Sequence, residues 1–590
     1  MSIVTLNKLT VFGLSTDRTA ILEGLQRLGC LHLIPLQPPV EEADFGSSDR
    51  YEEVQQALRH IMDVPRRRYQ VHDEDGFDLD QVVAAALANK QQQREIEDQK
   101  LFLTNRLKEL APWGHFTLPD LDDLGGYRLW FYQVPHTKAK QIQQLALPWQ
   151  KVGEDHLNVY VVVISKEEPP SDSLPVARTR AGAVSPEALK HQLEVLEIEL
   201  DEIRSEHEAL SRWIGLLSKN LARAEDETAL LAASEQAQEQ DGIFMLQGWI
   251  PKRSIQQLDV FAERHQLAFL AEPPKPDETP PTLMENSPTF QGGQDLVSFY
   301  ETPGYRTWDP SIVVFFSFTL FFAMIIADAG YALVLAVVVA YYWRSMGKSP
   351  GGQHFRILSG VGLCLAVIYG ILVGSYFGVE PPDGSLLASF KVLNLQDYNG
   401  MMRFTIAVGC LHLAFANAVV AYQSVGFASK AQPLGWITVI FGGFMLYLGW
   451  QHLGIGLLGG GSLVIFWAGV AGSQKRSLLR VIDGLGALTQ FSKLFGDIMS
   501  YLRLFALGLA SASLAVTFNQ LAAQVHQALP GIGLLVSLLI LLLGHGINLL
   551  LAIVSGFVHG LRLNFIEFFN WGISGEGYPF QAFVKKERSS

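Results

Sequence analysis

Apolar and polar residues alternate at the start of the chain, where Leu6, Leu9, Val11 and Leu14 mark a strand. Asp17 then stands at a helix-cap position, residues 18–28 carry a helical stretch, and Gly29 stops it before a second strand-like run over 31–34. This predicts a small α/β unit. A second unit is predicted from the β-prone runs 127–134 and 156–164, which flank a helical stretch. A third β-prone patch, 243–249, precedes a proline-rich linker at 272–281.

Long helical patterns separate these units. Ser185-Pro186-Glu187 reads as a cap followed by proline at the first helical position. From there Leu189, Leu193, Leu196, Leu200, Ile203, Leu210, Ile214 and Leu217 recur in steps of three and four, and only His207 is polar where an apolar residue is expected. A seam kept for about four heptads predicts a coiled-coil arm, here near 183–240. An earlier stretch with Val83, Leu87, Ile96, Leu103, Leu107 and Leu110 supplies an antiparallel partner near 45–112. A compact helical bundle is the alternative packing of the same residues.

Beyond residue 310 the pattern changes to apolar runs broken by short loops. A bilayer-spanning helix needs ~20 mostly apolar residues, and eight candidates occur, near 310–326, 328–343, 356–377, 404–425, 434–451, 455–472, 491–523 and 531–561. Asp328 beside Gly330 divides the first two, as a helix cap at a break. Loops following even-numbered spans hold Arg344, Lys348, Arg356, Lys430, Lys475, Arg476, Arg480 and Lys493, and the tail adds Lys585, Lys586 and Arg588. The opposite loops hold Glu380, Asp383, Asp397, a single interior cation at Lys391, and the glycine-rich segment 453–462. This positive-inside bias supports an even number of spans, with both termini cytoplasmic.

The expected fold class is therefore α/β cytoplasmic lobes joined by an antiparallel coiled coil (residues 1–305), plus an α-helical polytopic membrane domain of eight spans (residues 306–590). The mean hydropathy of +0.19 averages these two regimes. The net charge of −13 lies largely in the first half and excludes nucleic acid as a partner, which would need a basic stripe. Three scattered cysteines, Cys30, Cys364 and Cys410, form neither a disulfide framework nor a metal-ligand spacing, so no cofactor is expected. The first residues lack a basic stretch, apolar core and cleavage site, so the first half is expected to remain cytoplasmic. No GxxxxGK[ST] sequence occurs, so ATP hydrolysis is not expected of this chain.

Candidate chemistry lies in the last two spans. Arg503 sits ten residues beyond Lys493, ~15 Å along a helix. An arginine at mid-bilayer costs at least ~2.5 kcal/mol and ordinarily faces a partner or a water-filled path. A structural arginine paired with Asp497, or one snorkelling to the surface, is the plain alternative. Ala506, Ala510 and Ser513 share its helical face and would let another helix approach. A guanidinium keeps its proton, so a fixed charge here can displace a cation from a passing carboxylate. In the eighth span His545, Asn548, Ser555, His559 and Arg562 recur at steps of three and four, interrupted only by Ala552. Such a stripe serves equally as interhelical hydrogen bonding or as a wetted channel wall, and Arg562 with Glu567 also fits interfacial anchoring. His412 and Asn417 read as packing residues, and the aromatic-rich segment 565–571 as an interfacial belt.

The chain resembles the I subunit of bacterial V/A-type ATPases, the equivalent of the vacuolar a subunit. The markers are Pro112-Trp113-Gly114, Gly248-Trp249-Ile250-Pro251, Pro280-Pro281-Thr282 with Glu285-Asn286, Asp328-Ala329-Gly330-Tyr331, Ser500-Tyr501-Leu502-Arg503-Leu504 and Phe557-Val558-His559-Gly560-Leu561-Arg562-Leu563. The resemblance implies a stator whose lobes dock peripheral-stalk subunits of the E/G type and meet a central-stalk-associated subunit of the C/d type. Its last two spans would curve against a ring of proteolipid subunits in the lipid bilayer of a bacterial inner membrane. By position Arg503 matches the family's essential arginine and Arg562 its second, with half-channels for H⁺ or Na⁺ meeting near them. Ser511 stands where the vacuolar branch has histidine, Ala552 where it has a carboxylate, and Asn564 where histidine often follows Arg-Leu. Asp497 and Glu567 are the remaining local acids. The competing functions are a self-contained secondary transporter with a cytoplasmic regulatory domain, and a membrane-anchored assembly scaffold.

Overall fold

The computed structural model describes residues 2–36, 47–114, 125–142, 145–170, 174, 176, 178–179, 185–382, 384–472, 477–573 and 575–586. Asp383, Lys475, Arg476 and Arg588, counted above as loop and tail charges, lie outside these residues, as do 45–46 and 183–184 of the two arms. The chain divides into two compact units. One comprises Met1–Val11, Cys30–Ile34 and Gln247–Ala582; the other comprises Phe12–Gly29, Pro35–Leu246 and Phe583–Ser590.

Eight strands occur among the described residues: β1 (Leu6–Leu14), β2 (His32–Ile34), β3 (Arg128–Pro135), β4 (Trp149–Glu154), β5 (Asn158–Ser165), β6 (Gln238–Gln240), β7 (Ile243–Pro251) and β8 (Ala268–Glu272). They form a five-stranded sheet of order β2-β7-β1-β8, with β6 also on β7, and a three-stranded sheet of order β3-β5-β4. All three β-prone patches are strands, and β4, β6 and β8 are additional; the residues of β4 are almost wholly exposed, so no apolar alternation marked it. Helix α1 (Arg18–Leu28) ends at Gly29, whose φ of 63° is the left-handed conformation that glycine adopts without strain. Asp17 precedes α1, but its side chain makes no capping bond.

The second unit holds helices α2 (Ser47–Met62), α3 (Leu79–Leu110), α4 (Pro186–Leu210) and α5 (Ile214–Gln236). Ser185 caps α4 as expected, accepting from the Ala188 N–H at 3.2 Å. Helices α3 and α4 run antiparallel: Asn89 donates to the Ile203 carbonyl at 3.0 Å, Lys100 pairs with Glu197 at 2.8 Å, and Leu110 packs with Leu189. The single helix expected through Leu217 is instead interrupted by a 3-10 turn, Ser211–Trp213. Residues 68–71 enter the break, where the Arg68 N–H donates to Ser211 Oγ (2.9 Å), Gln70 Nε2 to the Ser211 carbonyl (2.9 Å) and the Val71 N–H to the Arg212 carbonyl (3.0 Å). An inserted segment that meets the freed backbone groups breaks a helix that its own pattern would continue.

His207, the polar break in the seam, is buried and stacks on His60 with ring centroids 4.0 Å apart. Its Nε2 donates to the His60 carbonyl at 2.8 Å, and His60 Nε2 reaches Asn89 Oδ1 at 3.1 Å. Burial pushes the His60 pKa below the usual value; His207 and Lys90 add to this, while Asn89 and Asp63 oppose it. A folded-state pKa lower than the unfolded one (about 6.5) gives stability that is present above it and lost as pH falls. Hydrogen exchange in α2 and α4 of the full chain, corrected for intrinsic rates, is therefore expected to rise between about pH 7.5 and 5.5. His60→Gln should flatten that dependence. A flat wild-type profile would contradict this account of the stacked pair.

The first unit continues with α6 (Ile255–His265) and α7 (Gln291–Tyr300) before a run of apolar helices. These are α8 (Ser311–Ile326), α9 (Ala329–Met346), α10 (Pro350–Val373), α11 (Tyr398–Gln423), α12 (Phe427–Tyr447), α13 (Gln451–Gly472), α14 (Ser477–Leu488), α15 (Phe491–Ser500), α16 (Leu502–Ala528) and α17 (Gly533–Arg562). Six helical stretches are long and apolar enough to cross a membrane: α9, α10, α11, α13, the succession Leu479–Ala528, and Gly533–Gly572; α8 is apolar but shorter. Helices α8 and α9 part at Ala327 (φ 47°), and Asp328 caps α9 by accepting from the Tyr331 N–H at 3.0 Å.

Three details correct the sequence reading. The glycine-rich segment 453–462 is not a loop but part of α13, where Gly454 and Gly461 let it lie against Leu446 and Val439 of α12. Helix α14 lies where only a charged loop was expected. The aromatic segment 565–571 is core, not an exposed belt: Phe565, Phe568, Phe569 and Trp571 are all buried, with Trp571 against Trp436 and Phe568 stacked on His412. Helices α11 and α12 offer those rings apolar contact, which composition alone does not distinguish from a lipid interface.

Candidate functional site

The span expected to run unbroken through 491–523 changes at Tyr501, between α15 and α16. There the Tyr501 N–H bonds to the Ile498 carbonyl (3.2 Å) and the Leu504 N–H to the Tyr501 carbonyl (2.9 Å), both tightened three-residue turns. Tyr501 is fully buried because α11 has Gly409 opposite it; a Cβ there would lie 2.7 Å from the tyrosine ring. The Tyr501 hydroxyl is hydrogen-bonded to His412 Nδ1 at 2.7 Å. His412 is thus a packing residue with one partner, and Asn417 bonds the Leu413 carbonyl of its own helix at 2.9 Å.

Arg503 begins the helix beyond this anchor. Its Nη1 is buried and has no hydrogen-bond partner among the described residues. Asp497, the partner in the plain structural alternative, accepts from Trp571 Nε1 at 2.7 Å. The charged groups acting on Arg503 are Arg562 and Glu567, and His559 feels both arginines. Glu567 is buried within a π-helical turn, Leu563–Phe568, and its Oε1 lies 3.8 Å from Arg562 Nε. His559 Nδ1 and Glu567 Oε2 are also buried and without hydrogen-bond partners among the described residues. Leaving such an atom unpaired costs about 1–3 kcal/mol, so a cluster of them points to a functional site more than to a packed core.

Helix α16 turns Leu504, Gly508, Ser511 and Ala515 inward, and Ala506, Ala510 and Ser513 remain exposed beside Arg503. The inward backbone is close-packed: a Cβ on Gly508 would stand 2.8 Å from the Met324 carbonyl of α8. One face is thus anchored within the chain, and the small-residue face is left open.

The polar stripe of α17 separates into two parts. His545 and Asn548 belong to a satisfied network. Asn548 Nδ2 donates to the Tyr331 hydroxyl (3.0 Å) and the Ser511 carbonyl (2.8 Å); the hydroxyl bonds His545 Nδ1 (2.6 Å), and His545 Nε2 meets Asn519 Oδ1 (3.0 Å). Ser511 Oγ reaches Asn548 Oδ1 at 3.4 Å. These are interhelical bonds joining α9, α16 and α17. Ser555 is half-buried on the same flank, and His559 and Arg562 lie at the other end, ~21 and ~26 Å from His545 along the helix. Asn564 donates to the Gly560 carbonyl at 2.9 Å and bonds Ser317. The structure thus brings Arg503, His559, Arg562 and Glu567 together, sets Asp497 beside Trp571, and places His545, Asn548 and Ser511 in a separate network. Sequence reasoning missed Tyr501, Tyr331, Asn519 and Trp571 as partners. Gly409 and His412, three apart on one face, were the available signal for a bulky polar neighbour.

The model of the V-type ATPase 116kDa subunit family matches residues 181–360 and 495–584. The second matched segment contains every residue of the cluster, from Arg503 to Glu567. Among curated relatives, the V-type ATP synthase subunit I of Chlamydia pneumoniae is 28% identical over 62% of this chain and 65% of its own length. The A-type ATP synthase subunit I of Methanocaldococcus jannaschii is 27% identical over 66% of this chain and 63% of its own. The chain thus spans somewhat under two thirds of these two proteins. The V-type ATP synthase subunit I 1 of Treponema pallidum is 25% identical over 99% and 100% of the respective lengths. A crystal structure of the cytoplasmic N-terminal domain of subunit I, homolog of subunit a, of V-ATPase aligns with 45% of this chain and 99% of its own at 20% identity and a TM-score of 0.26.

Proposed function

We propose that the chain is the membrane-embedded stator subunit of a rotary V/A-type ATPase, forming ion half-channels against a proteolipid ring and coupling H⁺ or Na⁺ flow to ATP hydrolysis or synthesis. The observation that carries this reading is Arg503: a guanidinium whose buried Nη1 has no hydrogen-bond partner among the described residues, at the edge of an open small-residue face. A permanent cation in that position can strip the ion from a ring carboxylate as it passes and bar leakage between two access paths. Arg562 would extend the positive field. Ser555, His559 and Glu567 are the half-channel groups nearest the arginines, and Asp497, Ser511, His545 and Asn548 candidates farther along the path. The nucleotide site would belong to other subunits.

On this reading residues 1–305 form the cytoplasmic stator domain, with α3 and α4 as its coiled coil, and bind E/G-type peripheral stalks and the C/d-type subunit. Residues 306–590 form eight spans of a bacterial inner membrane: α8 to α13, α15 with α16, and α17. The names borne by the relatives support the assignment. Cysteine cross-linking tests it in the assembled complex. Ala510→Cys and Ser513→Cys should couple to cysteines on the ring helix, while Ala515→Cys, on the buried face, should not. Equal coupling from both faces, or none from the open one, would refute the interface.

A further inference from the structure

A groove of about 290 Å³ lies between α8, α9, α10 and α17. Its walls are nearly all hydrocarbon, with Leu335, Leu358 and Phe557 among them, and Thr319 and Ser359 as hydroxyls. The Thr319 hydroxyl already bonds the Phe315 carbonyl of its own helix at 2.9 Å. Phe355 and Phe557 are about half exposed, so the groove opens sideways on the outer surface of the helices.

One end of the groove is cationic. Leu335 and Val339 stand one turn apart on α9, and Trp343 is the next residue on that face. The Arg356 guanidinium lies 5.2 Å from the Trp343 ring and donates from Nη1 to the Trp343 carbonyl at 3.3 Å. Arg356 Nε is buried without a hydrogen-bond partner among the described residues. A Cβ on Gly347 would lie 2.5 Å from Arg356 Nη1, so that glycine leaves room for the guanidinium. Arg344 lies in the last turn of α9 and Lys348 on the short connection to α10, and Asp295 of α7 pairs with His354 at 2.7 Å.

We infer that this groove binds an anionic phospholipid, one acyl chain lying along the apolar walls and the headgroup phosphate at Arg356. An apolar slot open to bilayer hydrocarbon loses dispersion contacts when empty, and an acyl chain restores them. The guanidinium, with its planar set of donors, suits a phosphate, and Arg344 and Lys348 favour an anionic headgroup over a zwitterionic one. The inference requires α8, α9, α10 and α17 to cross a membrane, but not the proposed role of Arg503.

The test uses the assembled complex in nanodiscs of mixed phosphatidylglycerol and phosphatidylcholine, stripped with mild detergent. Retained lipid is then counted by mass spectrometry. Wild type is expected to keep phosphatidylglycerol in preference. Arg356→Gln should lower its retention about fivefold, the effect of one basic side chain near a lipid surface. Ser359→Phe, which fills the groove, should release lipid of either headgroup. Equal retention of the two lipids by wild type, or undiminished phosphatidylglycerol in both variants, overturns the inference while leaving pumping through Arg503 untouched. A chain that does not sediment with membranes overturns both readings.

Discussion

Replacing Arg503 with Ala or Gln is expected to reduce ATP-driven ion uptake by vesicles to background, while the complex still assembles and retains its ATPase subunits. The guanidinium contributes little to packing that such a variant would disturb: its Nη1 has no hydrogen-bond partner among the described residues, and Asp497 is already engaged by Trp571. The loss should therefore fall on function alone. Arg503→Lys tests the need for permanent charge. A lysine surrounded by apolar groups gives up its proton more readily than arginine, so residual uptake in that variant should decline further as pH rises. Uptake measured with a pH- or ion-sensitive dye, alongside copurification of the partner subunits, decides the matter. Wild-type pumping by the Ala variant would remove the basis of the proposed mechanism.

The second large effect is expected at Asp328, and it concerns stability. This buried carboxylate accepts from the Tyr331 and Phe377 N–H groups (both 3.0 Å), the Gly378 N–H (2.9 Å) and the Ser375 hydroxyl (2.7 Å). It thereby ties the start of α9 to the loop after α10. That loop presses on α16: a Cβ at Gly378 would lie 2.7 Å from the Ala515 side chain, and the Phe377 carbonyl accepts from Asn519 at 2.8 Å. Asp328→Ala leaves buried donors unpaired at about 1–3 kcal/mol each. We expect a loss of about 3 kcal/mol or more in unfolding free energy of the purified chain in detergent. Asp328→Asn, which keeps one acceptor oxygen, should fall between. Because α16 carries Arg503, pumping should weaken with the loop. An Ala variant within about 0.5 kcal/mol of wild type, the ordinary range of a surface substitution, would show that the four bonds do not hold these helices together.

Local pattern determined a great deal. Alternating apolar residues marked β1, a β-prone run marked β7, Gly29 marked the end of α1, Ser185-Pro186 the start of α4, and Asp328 the break between α8 and α9. Each depends on backbone rules that act within a few residues, so the sequence carries them directly. The same holds for the guanidinium at 503 and the small residues on its face, whose rarity and spacing in an apolar run were legible without a fold. Tertiary packing decided the rest. The break at Ser211 exists because residues 68–71 meet its backbone groups, and the aromatic segment 565–571 is core because α11 and α12 receive it. The stripe on α17 became two sites because Tyr331, Ser511 and Asn519, from two other helices, satisfy His545 and Asn548, while His559 Nδ1 has no hydrogen-bond partner among the described residues. Periodicity places a polar group on a face of its helix. What lies opposite, and whether it donates, accepts or stays away, depends on residues hundreds of positions distant.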